Sequence, residues 1–269
     1  FVAVNGTVLA CATPMFSALS AAVEDRLRSL RHRPFRRFWL GQLVSVHGTW
    51  MQNVAQGWLM HRLTDSAFML GLLAFAQFLP VSLFALWAGV VADRVDKRRM
   101  ILAAQVVAMV LAVVLALVVT LGLVEPWMLL ALAFGFGVVN AFDLPTRQSF
   151  LVELVGKEDL SNAIALNSAA FNTARVLGPA LAGVLLAAFG EAACFWVNAL
   201  SFVAVIFSLA TLGIPSRAPE RGGFADTLAK LDEGVRYAWS TGPIRNLLLL
   251  LAVAAGLGFQ YTTLLPVYA

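Results

Sequence analysis

The sequence predicts an all-α membrane protein, and three observations support this prediction. Of the 269 residues, 60% are hydrophobic and only 13% are charged, and the mean hydropathy is +0.82. Soluble domains are about 45–50% apolar and about 25% charged. Long apolar stretches follow one another along the chain, each able to cross about 30 Å of hydrocarbon. Basic residues gather in alternate connections between these stretches. An unusually apolar soluble core is the alternative, and the uninterrupted apolar runs argue against it.

Six stretches are predicted to cross the membrane, and a seventh begins before the sequence ends. The predicted spans are residues 38–63, 67–92, 100–121, 127–144, 163–189 and 193–212. The last apolar run starts near Leu247 and is cut off at Ala269, and the chain starts with Phe1 instead of Met. We therefore expect this sequence to be a piece of a longer protein.

The chain divides into four predicted segments. Residues 1–37 form an N-terminal arm that ends in a basic approach to the first span, and residues 38–212 form a bundle of six transmembrane helices. Residues 213–243 form a linker in which apolar residues at helical spacing predict an amphipathic helix. Residues 244–269 begin a second, C-terminal bundle with the seventh helix.

The distribution of basic residues predicts the orientation of the chain. Most of the 19 Lys and Arg residues lie in the N-terminal arm and in the connections after the second, fourth and sixth spans. Cytoplasmic loops carry the excess of basic residues in membrane proteins, so this side, with the N-terminus, is predicted to be cytoplasmic. Arg62 and Arg175 lie elsewhere. The protein is thus expected in the plasma (inner) membrane, in contact with the lipid bilayer and not with nucleic acid.

Polar residues form a stripe along the first span. At 100° per residue they fall within about 100° of the helix surface. They are Gln42, Ser45, Thr49, Gln52, Asn53 and Gln56. Two interpretations remain open: hydrogen bonds between helices, or the wall of a water-filled substrate cavity. His47 points to the opposite side and is predicted to be a packed or lipid-shielded histidine.

The fifth span contains Arg175 near its middle. An arginine at this depth is costly unless it is paired or hydrated, so it is a candidate for the substrate cavity, with Asn172 beside it. The alternative is an interior arginine bonded to backbone carbonyls, Asn172 or Asn198. The first six spans carry no Asp or Glu at mid-depth, so a proton-carrying carboxylate is not visible in this sequence.

Two charged stretches border the spans on the predicted cytoplasmic side. One runs from Gly89 to Arg99, between the second and third spans. The other contains Asp143 and Arg147, four residues apart with Pro145 between them. Proline disturbs helices, so a regular pair on one helix face is not assumed, and a local ion pair at the membrane edge is one interpretation.

The first of these stretches resembles the loop between the second and third helices of major facilitator superfamily transporters. The matching residues are Gly89, Asp93, Arg94, Lys97, Arg98 and Arg99. Asp96 stands where the family pattern usually has glycine. The segments 45–52 with Trp58, 63–67 and 77–80 resemble the enterobactin-exporter-like branch of this superfamily. Part of the antiporter motif of the fifth helix is matched by Gly178, Pro179 and Gly183.

This resemblance implies a major facilitator fold, of which the chain would hold the six-helix N-terminal bundle and the first helix of the C-terminal bundle. It implies a secondary active transporter that exports siderophore-like or amphipathic small molecules by alternating access with proton antiport, and that is a monomer at full length. A metabolite importer or uniporter on the same fold is the alternative. It also implies a conformational latch in which Asp143 meets Lys97 or Arg98, together with Gly89, Asp93, Arg94 and Arg147.

An enzyme is not predicted. His32, His47 and His61 have no metal-ligand spacing, and no Gly-x-Ser-x-Gly motif is present. Cys11 and Cys194 are far apart and indicate neither a metal site nor a disulfide framework. No cofactor and no metal are expected.

Overall fold

A computed structural model describes residues 27–213, Glu233 and residues 236–258. A short 3-10 turn, Arg28–Arg31, precedes seven described α-helices. The helices are α1 (Arg33–Thr64), α2 (Ala67–Arg94), α3 (Lys97–Thr120), α4 (Pro126–Val155), α5 (Leu160–Phe189), α6 (Glu191–Ala210) and α7 (Gly242–Gly258). The described residues contain no strand, and the predicted all-α membrane fold is confirmed. Most of the N-terminal arm, most of the predicted amphipathic helix of the linker and residues 259–269 lie outside the described residues.

Five of the described helices, α2 to α6, are long and apolar enough to cross a membrane. The polar stripe of α1 lowers its hydropathy, so this 32-residue helix is not among the five although it is long enough. α4 extends to Val155, well past the predicted end of the fourth span at Leu144. It ends only at Gly156, which adopts φ +73° and donates its N–H to the Val152 carbonyl. Pro145 therefore does not interrupt α4, contrary to the expectation from the sequence.

The described helices α1 to α6 pack against one another in a bundle. α1 contacts α6 and α5 most extensively, α2 packs along α4, and α3 lies against α6 and α4. Buried side chains form two clusters, one toward each end of the bundle. Large members at the end where α1 begins are Phe35, Phe38, Ile101, Phe150 and Leu209. Large members at the other end are Leu59, Met60, Leu70, Leu129 and Phe195.

The interface of α1 with α6 is close because α1 presents glycine there. A Cβ atom added at Gly41 would lie 2.5 Å from Ser208 Oγ and 2.8 Å from the Ala204 carbonyl oxygen. One added at Gly48 would lie 2.7 Å from Asn198 Oδ1. Small residues let membrane helices approach closely enough for polar side chains to reach across. This proximity brings the polar stripe of α1 within hydrogen-bond distance of α6.

Candidate functional site

The polar stripe of α1 faces the interior of the bundle. Four of its six side chains are buried, namely Gln42, Ser45, Gln52 and Gln56. Thr49 and Asn53 are half-buried. The Oε1 atom of Gln42 has no hydrogen-bond partner within the described part of the chain. The stripe thus combines a buried inner part with Thr49 and Asn53, which remain accessible from one side.

Hydrogen bonds from the stripe reach three other helices. Asn198 of α6 donates its Nδ2 to Gln52 Oε1 at 2.7 Å. Gln56 donates to the Leu129 carbonyl of α4 at 3.2 Å, and Gln77 of α2 donates to Asn53 Oδ1 at 3.3 Å. Gln52, Asn53 and Gln56 thus form hydrogen bonds between helices, which is one of the two interpretations of the stripe. The position of Gln77 in the sequence does not by itself predict its hydrogen bond to Asn53.

Arg175 lies half-buried on α5, at the level of the middle of α1. Phe171, one turn before Arg175, packs edge-to-face on Trp50 with ring centroids 5.5 Å apart. Gly178 lies against the same tryptophan, because an added Cβ would be 2.5 Å from Trp50 Cβ. The sequence also suggests Asn198 as a partner for Arg175. In the structure, Asn198 is hydrogen-bonded to Gln52 in the buried α1–α6 interface.

The other predicted residues of α5 have distinct environments. Asn172 is exposed and donates to the Ser168 carbonyl of its own helix at 2.8 Å. Pro179 lies within the continuous helix. Gly183 has open space around the position of an added Cβ, so within the described residues only Gly178 of the two glycines serves close packing. Thr49, likewise, donates to a carbonyl of its own helix, that of Ser45, at 3.1 Å.

A buried charged pair lies near the other predicted site, on α4. Asp143 accepts a hydrogen bond from Arg147 across Pro145, and Gln105 of α3 donates to its second oxygen, Oδ1, at 3.1 Å. The side chains of Asp143 and Arg147 are only 5% and 12% exposed. Because α4 stays helical through Pro145, the two residues face the same side, as i,i+4 residues do. The pair is therefore an interior feature of the bundle.

The expected contact of Asp143 with Lys97 or Arg98 does not form in this structure. Lys97 pairs with Glu153 at 2.7 Å. Arg98 donates to the carbonyls of Leu209 and Ala210, both at 2.7 Å. Gln105, which faces Asp143, is eight residues beyond Lys97, which corresponds to about 12 Å along α3. The two basic residues thus lie too close to the end of the bundle to meet Asp143.

The loop between α2 and α3 is shaped by the residue that departs from the family pattern. Asp96 caps α3, since its Oδ1 accepts the backbone N–H of Arg99 at 3.0 Å. A carboxylate at this position satisfies an unpaired N–H and complements the helix dipole. Gly89 has open space at its Cβ position, and Arg94 is half-buried at the end of α2. The side chain of Asp93 lies outside the described residues.

Replacing Arg98 by alanine is expected to lower the free energy of unfolding by about 1–2 kcal/mol. The change leaves two carbonyl oxygens at the end of α6 without their charged donor. Thermal unfolding of the purified protein in detergent measures this effect. Arg99→Ala is the matched control, because Arg99 is 85% exposed, and a shift below about 0.5 kcal/mol is expected there. Equal shifts for the two variants would contradict the assignment.

A second charged cluster joins the N-terminal turn to the α4–α5 connection. Asp159 accepts a hydrogen bond from His32 Nε2 at 2.7 Å and pairs with Arg28. The hydrogen bond from His32 and the charge of Arg28 lower the pKa of Asp159. Ser29 donates its N–H to Asn162 Oδ1 at 3.0 Å. No sequence pattern indicates this cluster, because its partners are more than 120 residues apart.

The described residues contain no group of three or more His, Cys, Asp or Glu side chains suited to a metal ion. A helical bundle of long apolar helices, joined internally by amide hydrogen bonds and charged mainly at its ends, is typical of a polytopic membrane transporter. Comparison with known proteins agrees with this class. The chain belongs to the transmembrane secretion effector family of the major facilitator superfamily, whose model matches residues 25–269.

Curated relatives are transporters. The chain is 28% identical to the staphyloferrin A transporter of Staphylococcus aureus, over 86% of this chain and 58% of the relative. It is 28% identical to the multidrug efflux pump Tap of Mycolicibacterium fortuitum, over the same shares. It is 24% identical to macrolide efflux protein A of Streptococcus pyogenes, over 67% of this chain and 45% of the relative.

These similarities confirm the predicted superfamily, and the relatives are transporters and not enzymes. The chain spans 58% of the length of the first two relatives.

Proposed function

We propose that this chain is the first half of a secondary active exporter of small amphipathic or siderophore-like molecules, coupled to proton antiport. Two six-helix halves would rock around a central cavity in the plasma membrane, with the N-terminus in the cytoplasm and one full-length copy as the working unit. Support comes from the matched secretion family and from relatives named for efflux and for a siderophore. The observation that carries the proposal is the accessible polar surface of α1 within a protein of this family.

Thr49 and Asn53 are the proposed centre of the cavity wall. They are half-buried, whereas the neighbouring Gln42, Ser45, Gln52 and Gln56 are buried behind them. Gln52 and Gln56 would support the wall by fixing α1 against α6 and α4. Polar groups at this depth are expensive in hydrocarbon, so they are retained where they face protein or water.

Arg175 would supply the positive charge of this half of the cavity. The contact of Phe171 and Gly178 with Trp50 sets Arg175 at the same depth as Thr49 and Asn53. Asn172, exposed one turn away, would add an amide. Asp143 is the one carboxylate in the interior of the described helices α1 to α6, and it is held by Arg147, so we propose that the proton carrier belongs to the second half of the full-length protein.

The charged groups near the start of α3 are the proposed latch between alternating states. Asp143 is held by Arg147 and Gln105 in this structure, and Lys97 and Arg98 are engaged elsewhere. We propose that the segment from Gly89 near the end of α2 to Arg98 at the start of α3, which carries Asp93 and Arg94, moves relative to α4 during transport and changes these partners. The close contact of Gly178 with Trp50, next to Pro179, would make α5 move together with α1. Gly183 would not take part in this contact.

Transport in inverted membrane vesicles tests the exporter and its coupling. Vesicles containing the full-length protein are supplied with a macrolide, a ferric siderophore or a lipophilic fluorescent dye, with and without an imposed pH gradient. Accumulation that requires the gradient is expected. Accumulation of equal rate without the gradient would overturn proton antiport and favour the uniporter, and movement only out of the vesicles would favour an importer.

Two threonines of α1 give a matched pair of variants for the cavity. Thr49 and Thr64 both donate their hydroxyl to the carbonyl four residues earlier. Thr49→Val and Thr64→Val therefore lose the same intrahelical bond at different depths. Only Thr49→Val is expected to reduce transport, by about 5- to 10-fold, the effect of losing about 1 kcal/mol of polar interaction. Equal transport by the two variants would contradict the proposed cavity wall.

A further inference from the structure

Three arginines in the first turns of α1 are exposed. They are Arg33, Arg36 and Arg37. Within the described part of the chain, none of the three has an ion-pair partner, whereas Arg28, Arg62 and Lys97 pair with carboxylates. The three arginines therefore form a strong, uncompensated positive patch at the end of the bundle where α1 begins. An anionic partner is the natural complement of this patch.

An apolar groove lies directly along the helix from this patch. It has a volume of about 550 Å³ and lies between α1 and α6. Leu43, Val44 and His47 line it from α1, and Val197 and Leu200 line it from α6. Gly48 forms part of its floor. The Nδ1–H of His47 donates to the Leu43 carbonyl of its own helix at 2.7 Å, and apart from Ser201 the other residues that line the groove are apolar.

The patch and the groove share one face of α1. At 100° per residue, Arg33, Arg37, Leu40, Val44 and His47 lie within about 80° of each other. Leu40 and Val44 are each 52% exposed, and Leu200 across the groove is 68% exposed. This face points about 150° away from the polar stripe, so it is directed outward from the proposed cavity.

The distances along α1 match one leaflet of a membrane. Arg37 and His47 are ten residues apart, which corresponds to about 15 Å of helix rise. This is half of the hydrocarbon thickness of about 30 Å. A charged group at the arginines would thus stand at the membrane surface while an attached chain ran along the groove to the centre of the bilayer.

From this arrangement we propose that the α1–α6 face is a binding site for one anionic phospholipid. The phosphate lies among Arg33, Arg36 and Arg37, and one acyl chain occupies the groove between Val44 and Leu200. Basic residues at the membrane surface attract anionic lipids, and clefts between helices beside them hold lipid chains. This inference depends on the chain spanning a membrane and is independent of what the protein transports.

The test measures lipid retained by the full-length protein after purification from nanodiscs of defined composition. Native mass spectrometry counts bound phosphatidylglycerol and phosphatidylcholine. The wild-type protein is expected to retain phosphatidylglycerol in preference to phosphatidylcholine. The triple variant R33Q/R36Q/R37Q is expected to bind phosphatidylglycerol at least 25-fold more weakly, because each surface arginine contributes about fivefold and at least two contact the phosphate.

Two further variants keep the test specific. Arg99→Gln removes an exposed positive charge from α3, outside the proposed site, and should leave retention unchanged. Leu200→Trp fills the groove without changing charge and should weaken phosphatidylglycerol binding while the arginines remain. Equal retention of both lipids by the wild type, or unchanged retention in either the triple variant or Leu200→Trp, would overturn the proposal. A disulfide between Leu200→Cys and a cysteine in the second half of the protein would also overturn the proposal, because protein would then cover the groove.

Discussion

Replacing Asp143 by asparagine is expected to destabilise the bundle by about 3–5 kcal/mol, the cost of leaving a buried charge without its partner. Arg147 would lose its carboxylate while its side chain stays 12% exposed. Its Nε atom already has no hydrogen-bond partner within the described residues, so the remaining contacts cannot compensate. Thermal unfolding and denaturant titration of the purified protein measure the loss.

Asp96→Asn provides the matched control for this prediction. Asp96 and Arg99 are separated by 3.7 Å, and Arg99 is 85% exposed, so water screens the pair. Exposed pairs contribute about 0–1 kcal/mol, and asparagine caps a helix about as well as aspartate. A destabilisation by Asp143→Asn that is no larger than that of Asp96→Asn would contradict the buried pair.

A double variant separates stability from transport at the same position. D143N/R147Q removes both charges, so it should recover much of the stability that Asp143→Asn loses. If the proposed latch operates, the double variant stays folded but transports poorly, because no charge remains to change partners. A folded double variant that transports at the wild-type rate would argue against the latch. The pair of Asp143 and Arg147 would then have a purely structural role.

Gly137→Ala is expected to destabilise the bundle by about 1–3 kcal/mol, the usual cost of overpacking a filled interior. The added methyl group would overlap the Gln77 carbonyl oxygen and lie 3.0 Å from Pro80 Cδ and Cγ. These atoms belong to the backbone and to a rigid ring, so α2 must shift as a whole. The shift would also move Gln77, whose amide donates to Asn53.

The control for this variant is Gly71→Ala, on α2. A Cβ added at Gly71 meets nothing within 4 Å, and alanine favours a helix over glycine by about 1 kcal/mol. This variant should therefore be neutral or slightly stabilising. Circular dichroism during heating compares the two variants, and a Gly137→Ala protein as stable as Gly71→Ala would show that α2 and α4 are less tightly packed than described here.

Hydropathy predicted the helices well, because long apolar runs have few other stable forms in a membrane. It predicted the ends less well. The fourth span is predicted to end at Leu144, next to Pro145, whereas α4 continues as a helix to Val155. A proline is tolerated where the surrounding helices hold the backbone in place, and that support is not visible in a single sequence.

The partners of polar residues were the least predictable part of the candidate site. The polar stripe of α1 could be located by its spacing, but whether it faces Asn198, Leu129 or water depends on which helices pack around it. Asp143 illustrates the same limit. The family resemblance implies a basic partner from the loop, whereas antiparallel packing of α3 and α4 places Gln105 opposite it.

The hydrogen bond between Gln52 and Asn198 has a consequence for the synthesis and membrane insertion of the protein. The two residues are 146 positions apart in the sequence. At about 5–20 residues per second, the ribosome needs about 7–30 s after Gln52 to produce its partner. During this interval the first helix carries unpaired amides and is the least apolar of the early spans. We therefore expect the insertion machinery to hold the first helix in a water-accessible environment until the sixth helix has been synthesised.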